Sequence, residues 1–163
     1  MLKNMDEIIN IKNLRFLNHK ELKEIQKRIE DNWGAEIGDD EFAFLMNGKN
    51  RFFIVSRDIE KLELPRLRIN NVGIYFGELT ERGEFRLTIE GSAIVGSKAT
   101  KNIVDISKEQ ARQWFRGEDL DYESEENAFV IVRFGKDFLG CGKLVNGRIL
   151  NYVPKARRVP EII

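Results

Sequence analysis

Several residue types are scarce in this sequence, and each scarcity excludes something. There is one cysteine, one histidine and three prolines among 163 residues. A lone cysteine, Cys141, cannot close an internal disulfide, so the expected compartment is the reducing cytoplasm. A lone histidine, His19, removes multi-histidine metal centres. It also leaves any Ser-His-Asp or Cys-His arrangement dependent on one residue at a helix start. No apolar run approaches the ~20 residues that span a bilayer. Asp6 and Glu7 stand where a secretory signal would have its hydrophobic stretch. Neither sign of charge is in excess: 27 Lys and Arg balance 27 Asp and Glu. A nucleic-acid partner can therefore be argued only from how charge is distributed. Internal repeats and low-complexity tracts are missing too.

What is present is globular. The chain is 42% hydrophobic and 33% charged, with length for one large domain or two small ones. Residues 1–12 read either as frayed or as a short helical turn. Residues 13–17 alternate like a strand. Asn18 then reads as an N-cap with Glu21 in the capping-box position. Leu22, Ile25, Ile29 and Trp33 put one apolar face on the helix that follows, and Gly34 is placed to stop it. Lys20, Lys23, Lys27 and Arg28 lie mainly on its other, solvated face. Residues 41–46 and 51–55 read as a hairpin around Asn47-Gly48. A short helix over 56–61, a strand through Leu67 and Ile69, and a hairpin of 72–79 with 84–89 complete an α+β unit.

Residues 91–96 are small and read as a flexible link, with the domain boundary near Ile94: a first domain of residues 1–93 and a second of 94–163. The second unit opens with a strand over 102–106. Ser107 caps a helix, with Gln110 in the capping-box position. Ala111, Trp114 and Phe115 are its apolar side, and Gly117 its end. An acidic loop runs from Glu118 to Glu126. The segment 129–159 follows as three short strands and a basic tail. Asn146-Gly147 supplies a two-residue turn that needs positive φ at both positions. The expectation for this unit is a small, mostly β barrel with one helix.

Little in the sequence points to catalysis. Cys141 sits between Gly140 and Gly142 in an apolar strand, where a cysteine is a small buried hydrophobe. Gly140-Cys141-Gly142-Lys143 lacks the spacing and the strand-loop-helix context of a phosphate loop. No catalytic residue, metal site or cofactor is assigned. The two glycines fit a strand bend or the close approach of another backbone or ligand, an RNA backbone included. The charge distribution is more informative. From 130 to 160 the cations are Arg133, Lys136, Lys143, Arg148, Lys155, Arg157 and Arg158, against the single anion Asp137. Tyr152 beside Lys155, Arg157 and Arg158 joins a stacking ring to phosphate-binding cations. A ring in the barrel wall beside a solvated tail is the plainer alternative.

These residues resemble a PUA domain, an RNA-binding module. More narrowly, about the last 65 residues resemble the C-terminal PUA-like region of Sun/Fmu-type RNA cytosine methyltransferases. The strings Asn102-Ile103-Val104, Ala111-Arg112-Gln113-Trp114-Phe115, Arg116-Gly117-Glu118-Asp119-Leu120, Phe138-Leu139-Gly140-Cys141-Gly142-Lys143 and Asn151-Tyr152-Val153-Pro154-Lys155-Ala156-Arg157-Arg158 carry that likeness. The whole chain is similar, more weakly, to the Nip-seven ribosome-biogenesis family, through Phe76-Gly77-Glu78-Leu79-Thr80 and Phe85-Arg86-Leu87. The resemblance implies an α+β fold: an N-terminal α/β pre-PUA-like domain, then a small mostly-β PUA-like pseudo-barrel with one or two helices. It implies RNA contact through Arg116 and Gly117 in the loop after the first PUA helix, and through Lys143, Arg148, Tyr152, Lys155, Arg157 and Arg158. Glu118, Asp119 and Asp121 beside that face depart from the expectation, since anions repel phosphate.

The catalytic domain and cysteine pair of such methyltransferases are absent from this sequence, so the expected role is non-catalytic. It is RNA binding on structured rRNA or tRNA in ribosome biogenesis or RNA modification, without DNA or membrane partners. The alternative is a protein-binding adaptor for a separate RNA methyltransferase or ribosome-assembly factor. An enzyme in its own right is the least supported reading.

Overall fold

The computed structural model describes residues 14–38, 42–56 and 73–159. The expectations for 1–12, for a helix over 56–61 and for a strand through Leu67 and Ile69 fall wholly or almost wholly outside them. Among the described residues there are three α-helices and ten strands in two five-stranded sheets.

The first sheet is ordered β1-β2-β3-β4-β5, from Arg15–Phe16, Phe42–Met46, Arg51–Ser56, Ile74–Leu79 and Phe85–Leu87. Every neighbouring pair is antiparallel. Helix α1, His19–Trp33, starts where its sequence cues put it. The Asn18 side chain accepts from the Glu21 N–H at 2.9 Å, and the Glu21 carboxylate accepts from the Asn18 N–H at 3.1 Å. Orphan donors at the helix start are thereby satisfied. The hairpin between β2 and β3 forms, but on a longer turn than Asn47-Gly48 alone. The buried Asn47 Oδ1 accepts from the N–H groups of Lys49 and Arg51, and the left-handed residue is Asn50 at φ 58°. An asparagine side chain can stand in for a backbone turn in this way.

The second sheet is ordered β6-β8-β9-β10-β7, from Ile103–Asp105, Ala128–Phe134, Asp137–Val145, Arg148–Asn151 and Leu120–Asp121. Strand β6 runs parallel to β8 and the other pairs are antiparallel. Helix α3, Lys108–Phe115, has the expected Ser107/Gln110 capping box. The β9–β10 turn has Asn146 at φ 51° and Gly147 at 75°, the two positive angles that a primed hairpin turn demands. Strand β7 falls at the start of what reads from sequence as loop.

Residues 91–96 are not a flexible link. They belong to helix α2, Ile89–Gly96, capped by Thr88. Its small residues bring it against both sheets. A Cβ on Gly91 would collide with the Phe76 carbonyl of β4, and one on Gly96 with the Phe138 ring of β9.

Among the described residues three buried clusters result, one of them a small group of Ala43, Leu45 and Val55, and β8 serves the two larger ones. Phe129 and Ile131 join a cluster with Ile25, Ile29 and Trp33 of α1 and Phe44, Phe52, Phe76 and Phe85 of the first sheet. Val130 and Val132 point the other way, into a cluster with Trp114, Leu120, Leu144 and Ile149. A strand buried on both faces reads as an unbroken apolar run, which is how Phe129 to Val132 reads. In β9 the alternation breaks at a bulge: Val132 pairs with Gly140 and Arg133 with Phe138, so Leu139 is skipped. Leu139 therefore faces the second cluster while Cys141 faces the first. One extra residue re-aims the side chains on either side of it. The Leu139 carbonyl at the bulge accepts from Trp114 Nε1 at 3.1 Å.

Candidate nucleic-acid interface

Helix α3 ends at Arg116, and Gly117 follows in the left-handed region at φ 88°. A side chain there would run into Arg158, which lies across the glycine. Arg158 Nε donates to the Val153 carbonyl at 3.0 Å, and the Val159 N–H donates to the Phe115 carbonyl at 2.8 Å. The C-terminal segment, which reads from sequence as a tail, thus docks on the end of α3. It includes a 3-10 turn, Lys155–Arg157.

Asn151 holds these two stretches together. Its Nδ2 donates to the carbonyls of Trp114 at 2.8 Å and Glu118 at 2.9 Å, and its Oδ1 accepts from the Val153 N–H at 2.8 Å. Its own N–H donates to Asp119 Oδ1 at 2.8 Å. Sequence reasoning quoted Asn151 within a motif but gave it no role. A half-buried carboxamide that uses both ends on backbone is a tertiary fact with no local signature.

The expected cations do not form one free array. Arg116 pairs with Glu118 at 2.5 Å. Arg148 lies 3.6 Å from Asp119 and 3.9 Å from Asp121. Lys143 is buried, pairs with Glu84 just before β5, and lies 4.7 Å from the centre of the Phe129 ring. Arg157 pairs with Glu90 of α2. Lys155 is exposed, and among the described residues no carboxylate lies within ion-pairing reach of it or of Arg158. So the structure brings Arg116, Gly117 and Arg158 together at the end of α3, with Lys155 close by along the chain. Lys143 and Arg157 instead reach carboxylates of β5's flank and α2. The anions that depart from the expected pattern are the partners here: Glu118, Asp119 and Asp121 are engaged by Arg116, Arg148 and Asn151.

Tyr152 is 40% exposed, and the Arg86 guanidinium sits 4.4 Å from its ring centre. Arg86 is itself held by Glu78. Tyr75 Oη donates to the same carboxylate at 3.2 Å. Burial first, and then the Glu78 charge, push the Tyr75 hydroxyl up to about 12. Arg86 and Tyr75 had no sequence signal as site residues, since Arg86 meets Tyr152 only across the two sheets and Tyr75 joins them through Glu78.

The residues with alternative chemistries are placed plainly. His19 is exposed at the start of α1. Cys141 is buried, and burial pushes its thiol up to about 12. Gly142 lies under Ile149 and Trp114, so its close approach is to the protein's own side chains. Trp114 is fully buried. Among the described residues no helix is long and apolar enough to cross a membrane.

Two family models divide the chain. Residues 14–89 match the NIP7/UPF0113 pre-PUA domain, and residues 101–159 match the methyltransferase RsmF PUA domain. The chain is therefore a pre-PUA domain followed by a PUA domain, as the motif strings imply. Among curated proteins it is similar to ribosomal RNA small subunit methyltransferase F of Vibrio cholerae, at 29% identity over 139 residues. That alignment covers 85% of this chain and 28% of the relative. The protein of the same name from Aeromonas salmonicida is 35% identical over 91 residues, 55% of this chain and 19% of its own length. That from Shewanella sp. MR-4 is 25% identical over 143 residues, covering 83% and 29%. The chain thus spans under a third of the length of these curated relatives.

Proposed function

We propose that this protein is a non-catalytic RNA-binding protein that acts on structured rRNA or tRNA in ribosome biogenesis or RNA modification. It would do so as two domains, residues 1–93 and 94–163. The observation that supports the reading is the docking of Arg158 over Gly117, which sets the loop after α3 beside the C-terminal segment. Lys155 and Arg158 are its first phosphate ligands, because no carboxylate among the described residues competes for them. Arg116, Arg148 and Arg157 are second. A solvent-exposed ion pair is worth only ~0–1 kcal/mol, so a phosphate can replace the carboxylate at little cost. Lys143 is the weakest candidate, since its ammonium is buried against Glu84. Its inclusion rests on the family resemblance alone.

The test is binding of ribosomal or transfer RNA over a salt series. Phosphate contacts release counterions, so each lost contact lowers the log–log salt slope by roughly 0.7–0.9. The Lys155→Ala/Arg157→Ala/Arg158→Ala variant should bind more weakly with a slope smaller by about 2. Unchanged affinity and slope would refute the site. A second reading, an adaptor for a separate RNA methyltransferase or assembly factor, draws on the pairing of Arg116, Arg148 and Arg157 with carboxylates. Association with such a purified enzyme that survives ribonuclease would favour it.

A further inference from the structure

A cleft of about 290 Å³ lies between the two sheets, apart from the α3 end just described. Its apolar lining includes Leu87, Ile89, Val153 and Pro154, together with Tyr75 and Tyr152. The charged groups at it are Arg86, Arg157 and Glu90. We propose that this cleft takes one unpaired nucleobase of the bound RNA, an inference that rests on the RNA-binding reading above.

Size comes first. Small-molecule pockets begin at about 300 Å³, so this cleft suits a single ring system and not a larger cofactor. Charge comes second. Arg86 is paired with Glu78 and Arg157 with Glu90, so the cleft holds no cation without a carboxylate beside it and is a weaker phosphate site than Lys155 and Arg158. It presents donors and a carboxylate acceptor together, which is what the edge of an unpaired base also presents. Stacking comes third. Bases splayed from RNA stack on aromatic rings and on guanidinium planes. Here the Arg86 guanidinium already lies on Tyr152 and is fixed there by Glu78, so the platform is formed before RNA arrives. Continuity is the last point. Pro154 and Arg157 line the cleft, and Lys155 and Arg158 lie in the same turn of chain. The stretch of chain that lines the cleft is thus the stretch that carries those two cations.

The test uses a hairpin RNA with 2-aminopurine placed in turn at each loop position. Binding is read by anisotropy of an end label, and base insertion by the 2-aminopurine fluorescence. The parent protein should quench one position strongly. Tyr152→Ala removes the platform without changing charge, and should abolish that quench and weaken binding about tenfold. Ile89→Trp narrows the cleft, also without changing charge, and should abolish the quench while the salt slope stays as in the parent. Circular dichroism melts establish that both variants fold. Binding of the hairpin with no quench at any position would overturn the cleft proposal and leave the RNA-binding reading standing. So would a quench that persists in both folded variants. No binding at low salt would overturn the RNA-binding reading itself.

Discussion

Asn151→Ala is the substitution that most directly probes the architecture of the candidate interface. It deletes three side-chain hydrogen bonds, those to Trp114 and Glu118 and that from Val153. Each is a neutral bond with a net worth of about 0.5–1.5 kcal/mol. Water can reach the Glu118 carbonyl, because that residue is exposed on a loop, so its loss is the cheapest. The Trp114 carbonyl keeps the Gly117 N–H at 3.0 Å, whereas the N–H of the buried Val153 loses its acceptor. The expected cost is about 2–3 kcal/mol, which for a chain of this size lowers Tm by about 5–10 °C. Calorimetry or a circular dichroism melt reads it. Asn151→Asp retains the acceptor for Val153 but sets a carboxylate oxygen against two carbonyl oxygens. It should cost at least as much. RNA affinity should fall in both variants, because the 116–119 loop and the C-terminal segment lose their tie. The salt slope should hold in Asn151→Ala, because Lys155 and Arg158 are intact. If Asn151→Ala melts within about 2 °C of the parent, Asn151 does not organise this face and its assignment falls.

Glu21 offers a pH signature. Its hydrogen bond from Arg15, and next that from the Asn18 backbone, hold its carboxyl at about 2, below an ordinary value of 4.5. A lowered folded value means that its stabilising contribution is whole above pH 4.5 and is lost as the pH falls through about 2. In Arg15→Ala, an NMR titration should find this carboxyl moved back up towards 4.5. Cys141 should resist thiol reagents at neutral pH in the native state and react once the chain is denatured, because burial pushes its thiol up to about 12. Labelling at the native rate of a free thiol would contradict that burial. Glu84→Gln leaves the buried Lys143 ammonium without its carboxylate and should cost about 1–3 kcal/mol. Joint replacement with Lys143→Met should recover most of it. Gly91→Ala drives a methyl into the Phe76 carbonyl, a backbone atom that cannot swing aside, and should cost about 1–3 kcal/mol by urea melt.

Much of the fold was legible from short stretches because its cues are local. The Asn18/Glu21 and Ser107/Gln110 capping boxes act within one helical turn, and the Asn146-Gly147 turn is set by two residues. Helix α2 was missed for the opposite reason. Its glycines and serine are poor helix formers in isolation. The two glycines are there because Phe76 and Phe138 leave no room for larger side chains. The docking of the basic tail was not legible for the same kind of reason. Nothing near Val159 in sequence says that its N–H bonds to Phe115.

From the chain alone came helices α1 and α3, the hairpins, the two-part α+β plan, the apolar character of the strand at 129–132 and the concentration of cations after residue 130. All of these depend on residue type and spacing, which a linear text records. Only the folded molecule decided which of those cations meet a carboxylate. Glu84 is 59 residues from Lys143 and Glu90 is 67 from Arg157, and no periodicity links such distant positions. The meeting of Arg86 with Tyr152 is of the same kind. It exists because the two sheets share the cluster that Phe129 and Ile131 of β8 enter, and burial of that cluster brings together side chains that the sequence keeps far apart.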